Sequence, residues 1–128
     1  MAMTRQVLVV DDEQDMGALF QQRFRRELRA QKLTLAFANS GKEALSYLQE
    51  HSNEPITVLS DINMPGMNGL ELLRHIKQDF DAPPLDVLTI TAYGDAESYN
   101  KAITLGARDL LTKPLDFNLL RQKLQLDA

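Results

Sequence analysis

Short apolar runs rich in β-branched residues alternate with longer stretches of helical period along the whole 128-residue chain. "QVLVV" at 6–10 is followed by Met16, Phe20, Phe24 and Leu28, apolar positions that recur every four residues from Gln14 onward. That pattern predicts a strand and then one amphipathic helix. "LTLAFA" at 33–38 reads as a second strand, and "SGKEALSYLQEH" as a helix opened by a capping box of Ser40 and Glu43. "ITVLS" is the third strand, ahead of a helix that carries Leu70, Leu73, Ile76 and Lys77 towards the breaker "DAPP". "LDVLTIT", "DAESYNKAITL" with Gly106 as its stop, "RDLLT" and "DFNLLRQKLQL" complete the order βαβαβαβαβα. Apolar strands each returned by a helix require a parallel sheet covered on both faces, with right-handed crossovers. The expected class is therefore α/β, a doubly wound (βα)5 fold of five parallel strands, with residues 1–128 as a single domain.

Composition excludes several functions. There are no cysteines, so disulfides and thiolate metal sites do not arise. No apolar run approaches the roughly 18 residues of a membrane span, and "MAMTRQ" lacks the apolar segment of a signal peptide, so a cytoplasmic location is expected with no membrane partner. A net charge of −4 counts against nucleic acid binding by this chain. The one basic run, "RFRRELRAQK" from Arg23 to Lys32, reads as the solvated face of a helix.

Ligands of doubly wound sheets sit outside the carboxyl ends of the strands. There "VLVV" runs into Asp11, Asp12 and Glu13, "ITVLS" into Asp61, "VLTI" into Thr91, and "DLLT" into Lys113 and Pro114. Carboxylates crowded at one edge repel each other unless a cation is bound, and oxygen donors of this kind suit Mg²⁺. A carboxylate can itself attack a phosphoryl group. The metal and a fixed ammonium, Lys113, would then neutralise the transferred oxygens while the Thr91 hydroxyl donates to one of them. Asp61 is the best nucleophile of the set.

With "DDE" after the first strand, "DINMPGMNG" around Asp61, "TAYGD" after the fourth strand and "TKP" after the fifth, the sequence resembles the receiver domain of two-component response regulators. The resemblance covers essentially the whole chain. It implies strand order 2-1-3-4-5 and phosphorylation of Asp61 by a histidine kinase or a histidine phosphotransfer protein. It further implies that Asp12 ligates Mg²⁺ directly, with Mn²⁺ as a substitute, that Asp11 acts through water, and that Asn63 offers its backbone carbonyl. Lys113 and Thr91 would read the phosphoryl oxygens, and the Lys113–Pro114 bond would be cis. Thr91 resembles the family's switch hydroxyl, which works with a buried aromatic to reshape the face of the fourth helix, fifth strand and fifth helix, where an effector or a second copy would dock. Leu110 occupies the aromatic's position here, and is read as a packed strand residue.

Glu13, Met16, Leu19 and Pro114 are the candidate docking residues for the phosphodonor. Leu19 is singled out because it lies off the stripe of Met16, Phe20, Phe24 and Leu28 and near the acidic cluster. Asn63 and Tyr93, two places beyond Asp61 and Thr91, are expected to tune the lifetime of the phosphoaspartate, Asn63 by orienting a water and Tyr93 by shielding the group. Met64, Pro65 and Met67 would shape the loop, and His51 and His75 lack the spacing of a metal pair. A Mg²⁺-dependent aspartyl-phosphate phosphohydrolase and an unphosphorylated interaction module are the alternatives. The first lacks an obvious second acid to activate water. The complete acid, threonine and lysine set argues against the second.

Overall fold

The computed structural model describes residues 4–51, 54–79, 86–92 and 94–126. Its elements are β1 (Arg5–Val10), α1 (Asp15–Arg23), α2 (Arg25–Arg29), β2 (Leu33–Ala38), α3 (Gly41–Glu50), β3 (Ile56–Asp61), α4 (Gly69–Asp79), β4 (Asp86–Thr91), α5 (Ala96–Thr104), β5 (Asp109–Thr112) and α6 (Phe117–Lys123). All strands pair in parallel in the order β2-β1-β3-β4-β5, as expected. The "DAPP" breaker lies outside the described residues.

Each sheet face carries its own apolar cluster. Leu8, Val10, Ile56, Val58 and Val87 point to one side and pack with Ala44 and Leu48 of α3, Leu72, Leu73 and Ile76 of α4, and Ala102 of α5. Val7, Val9, Leu59, Leu88 and Ile90 point to the other, against Phe20 of α1, Phe24 just past it, Leu120 of α6 and Leu124 just past that helix. Alternating side chains on buried strands feed both clusters, so the sheet is covered twice. β3 at the centre is buried along its whole length.

The helix ends follow their sequence signals. The Ser40 hydroxyl accepts the Glu43 N–H at 3.1 Å, and Glu43 Oε1 reaches back to the Asn39 N–H rather than to Ser40 itself. Asp95 and Asp116 cap α5 and α6 in the same way. Gly106, at φ 106°, closes α5 with Gly106 N–H on Ile103 and Ala107 N–H on Ala102, the pair of bonds that a left-handed residue makes available.

One expectation changes. The single first helix is two, α1 and α2, separated by Phe24 at φ −106°, ψ 20°. Residues spaced by four drift around a straight helix by about 40° per step, which would turn Leu28 away from the face set by Phe20. The departure at Phe24 keeps Leu28 half-buried against the same cluster and buries Glu27. The cations of the basic run are solvated as expected, and its one acid is not. Arg25, Arg26 and Arg29 are exposed, while Glu27 accepts from Arg121 Nε at 3.1 Å and ties α2 to α6.

Candidate functional site

The sheet register sets the site. Val10 pairs with Ser60, Asp61 with Ile90, and Thr91 with Thr112. Asp11 therefore lies level with Asp61, Thr91 one step beyond, and Lys113 one step beyond again. The chain runs from β1 outward to β2 on one side and to β3 on the other, so this edge is also where the strand order reverses.

An acid at the end of a buried strand is satisfied by its own turn. Asp61 Oδ1 accepts the Asn63 N–H at 3.0 Å, and Asp11 Oδ1 accepts the Glu13 N–H at 2.9 Å. Asp61 is 2% exposed and Asp11 5%. Lys113 Nζ donates to Asp61 Oδ2 at 3.0 Å and stands 3.9 Å from both Asp11 and Glu13. Burial alone would lower the Lys113 pKa. The hydrogen bond to Asp61 and the charges of Asp61, Asp11 and Glu13 outweigh it and raise the pKa, so the ammonium is secure. Burial raises the Asp11 pKa and the neighbouring Asp61 adds to the rise, against the lowering effect of the Glu13 N–H and Lys113.

Asp11, Asp12 and Asp61 each present an oxygen within 4.8 Å of the other two, and Asp12 is exposed to solvent. One ammonium does not balance this set. Three hard oxygen donors with an open side fit a divalent cation that keeps water or phosphate in its shell.

Thr91, 1% exposed, donates its hydroxyl to Asn63 Oδ1 at 3.1 Å, and its carbonyl accepts the Lys113 N–H at 2.9 Å. The Asn63 side-chain bond has no signal in the sequence, because it joins residues 28 positions apart. Gly69 is the second feature missed. A Cβ there would lie 2.7 Å from Ile62 Cα and 2.9 Å from the Asp61 carbonyl carbon, so the start of α4 packs directly on the backbone that carries Asp61. Its trace in the sequence is a glycine just after Asn68, whose side chain caps the Glu71 N–H at 2.9 Å.

The other candidates are placed as follows. Glu13 and Pro114 are exposed beside the site, and Met16 in the first turn of α1 and Leu19 at its middle are half-buried. Leu19 is therefore less open than its position off the stripe suggests. Leu110 is half-buried and packs against the cluster under α3 to α5. Tyr93 lies outside the described residues. The Lys113–Pro114 bond is cis. Met64 is buried, and Met67 covers Gly41, where a Cβ would meet its sulfur at 2.7 Å. His51 stacks on Tyr47 with ring centroids 4.1 Å apart and pairs with Glu54, away from the acidic edge.

Residues 7–125 match the family model of the response regulator receiver domain. The chain is 37% identical over 119 residues to the transcriptional regulatory protein ZraR of Escherichia coli, covering 93% of this chain and 25% of that protein. It is 39% identical over 112 residues to the DNA-binding transcriptional regulator NtrC of Salmonella typhimurium, covering 88% and 22%. The chain thus spans about a quarter of the length of these relatives. Its fold superposes with TM-score 0.80 on the Saccharomyces cerevisiae co-crystal of the histidine phosphotransfer protein Ypd1 with the receiver domain of Ssk1, at 24% identity over 98% of this chain and 89% of that one.

Proposed function

The chain belongs to the response regulator receiver family of two-component systems, and from that premise we propose that Asp61 takes a phosphoryl group from a phosphohistidine partner and later loses it to water. The observation that carries this reading is Lys113 Nζ held 3.0 Å from a buried Asp61 carboxylate, with the oxygens of Asp11 and Asp12 grouped beside it. A carboxylate oxygen of Asp61 attacks phosphorus as the phosphorus–nitrogen bond breaks. The imidazole nitrogen leaves with the electron pair and takes up a proton. Lys113 balances charge on the phosphoryl oxygens, and the Thr91 hydroxyl donates to one of them.

Asp12, Asp61 and the Asn63 carbonyl would hold Mg²⁺, or Mn²⁺ in its place, with Asp11 acting through water. When bound, the ion neutralises charge on the transferred group. The donor chemistry supports this choice, since all contributors are hard oxygens.

The phosphodonor is a histidine kinase or a histidine phosphotransfer protein, in keeping with the Ssk1 receiver domain crystallised with Ypd1. The output surface is the face of α5, β5 and α6, where Tyr99, Ile103 and Leu119 are exposed large apolar residues suited to an effector or a second copy. No helix among the described residues is long and apolar enough to cross a membrane.

Intact mass after incubation with acetyl phosphate tests the reading. One phosphoryl group should be gained with Mg²⁺ present, and neither without the metal nor in Asp61→Asn. Absence of any gain in the wild type overturns it.

A further inference from the structure

We infer that the Asn63 side-chain amide is a positioning group that keeps the Thr91 hydroxyl on its own Oδ1 until a phosphoryl group arrives at Asp61. The inference rests on the phosphoacceptor reading of Asp61 and concerns the regulation of that site. Asn63 bridges two elements. Its N–H is fixed on Asp61 Oδ1 at 3.0 Å, and its Oδ1 accepts from Thr91 Oγ1 at 3.1 Å across the ends of β3 and β4.

A hydroxyl has one proton to donate. Thr91 therefore serves Asn63 Oδ1 or a phosphoryl oxygen, and not both. A bond to an anionic oxygen is roughly twice as strong as one between neutral groups, so phosphorylation wins the exchange. The bond given up is subtracted from that gain. Asn63 thus adds to the pull that the phosphoryl group must exert before Thr91 moves. Asn63 is exposed while Thr91 is 1% exposed, so the amide can swing into solvent and be hydrated once released.

The test is a double-mutant cycle read by the affinity for beryllium fluoride with Mg²⁺, a mimic of the acyl phosphate. Asn63→Ala, and Asn63→Leu which keeps the side-chain bulk, should each bind the mimic about fivefold more tightly than the wild type, the loss of one neutral hydrogen bond from the free state. In a Thr91→Ala background the same substitutions should change affinity less than about twofold. Urea unfolding of the metal-free proteins gives a second reading, in which the two substitutions should be non-additive. Equal tightening in both backgrounds, no tightening in the wild-type background, or additive metal-free stabilities would overturn the inference. Wild-type protein that binds no beryllium fluoride and gains no mass from acetyl phosphate would overturn the phosphoacceptor reading, and this inference with it.

Discussion

Asp61 and Asp11 each turn one carboxylate oxygen onto a backbone N–H two residues along, which lets an acid survive at a site only 2% or 5% exposed. The other oxygen of Asp61 is left for Lys113 and for chemistry. Asp61→Asn keeps the acceptor that the Asn63 N–H needs and removes the carboxylate proposed as the nucleophile. Phosphoryl labelling should vanish while the circular dichroism spectrum is unchanged, and full labelling of the variant would place the acceptor elsewhere. Metal supplies a second prediction at this scale. Because Asp11, Asp12 and Asp61 crowd within 4.8 Å, Mg²⁺ at a hundredfold excess over Kd should stabilise the fold by about 2.7 kcal/mol. Asp12→Ala should abolish that response, and a melting temperature indifferent to Mg²⁺ would remove the metal from the account. These acids and Lys113 were legible in the sequence, since each follows a recognisable strand. The bond from Thr91 to Asn63 was not, because a contact between residues 28 positions apart depends on sheet register and rotamer rather than on pattern.

Elements were legible where a local signal is strong and blurred where packing decides. The strand "LTLAFA" is β2 to the residue, and Ser40 caps α3. The break at Phe24 escaped because α1 and α2 share one run of apolar spacing, and only the cluster on that sheet face shows where a straight helix would fail to follow it. Gly69 shows how an element holds the site. Its hypothetical Cβ meets backbone atoms of Asp61 and Ile62 that have no flexible end to yield. Gly69→Ala should cost about 1–3 kcal/mol in urea unfolding and slow phosphorylation by acetyl phosphate, since the displaced backbone carries Asp61, the proposed phosphoacceptor. At the sheet edge, burial alone would raise the Asp109 pKa. The hydrogen bonds from Lys123 and the Leu110 N–H, with the charges of Lys123 and Arg108, outweigh it and lower the pKa. A depressed carboxylate stabilises the fold above its unfolded pKa of about 3.9 and loses that contribution as pH falls through the folded value. Asp109→Asn should therefore cost up to about 1 kcal/mol at pH 7 and nothing at a pH below both values, as read by denaturant titrations at each pH.

At the scale of the whole molecule, the strand order was implied by resemblance rather than by periodicity, because apolar runs say that strands exist and not which are neighbours. That order decides access. With β1 and β3 adjacent and α1 starting at Asp15, just past the acidic edge, the first turn of α1 and the segment after β5 flank Asp61 and form the proposed approach for a protein donor. Glu13 and Pro114 are exposed on either side of that approach, and Leu19 is half-buried and belongs to neither apolar cluster. A small phosphodonor needs none of this surface, whereas a phosphohistidine carried on a helix must dock before its phosphorus is in line. An apolar anchor at the centre of such an interface costs more than about 1 kcal/mol when truncated, equivalent to at least fivefold in affinity. Leu19→Ala should therefore slow transfer from a phosphohistidine protein about fivefold or more and leave labelling by acetyl phosphate unchanged. Rapid-quench transfer assays with both donors separate the two effects. Equal slowing with the two donors would mean that Leu19 supports the site from within, and that docking lies elsewhere on the rim.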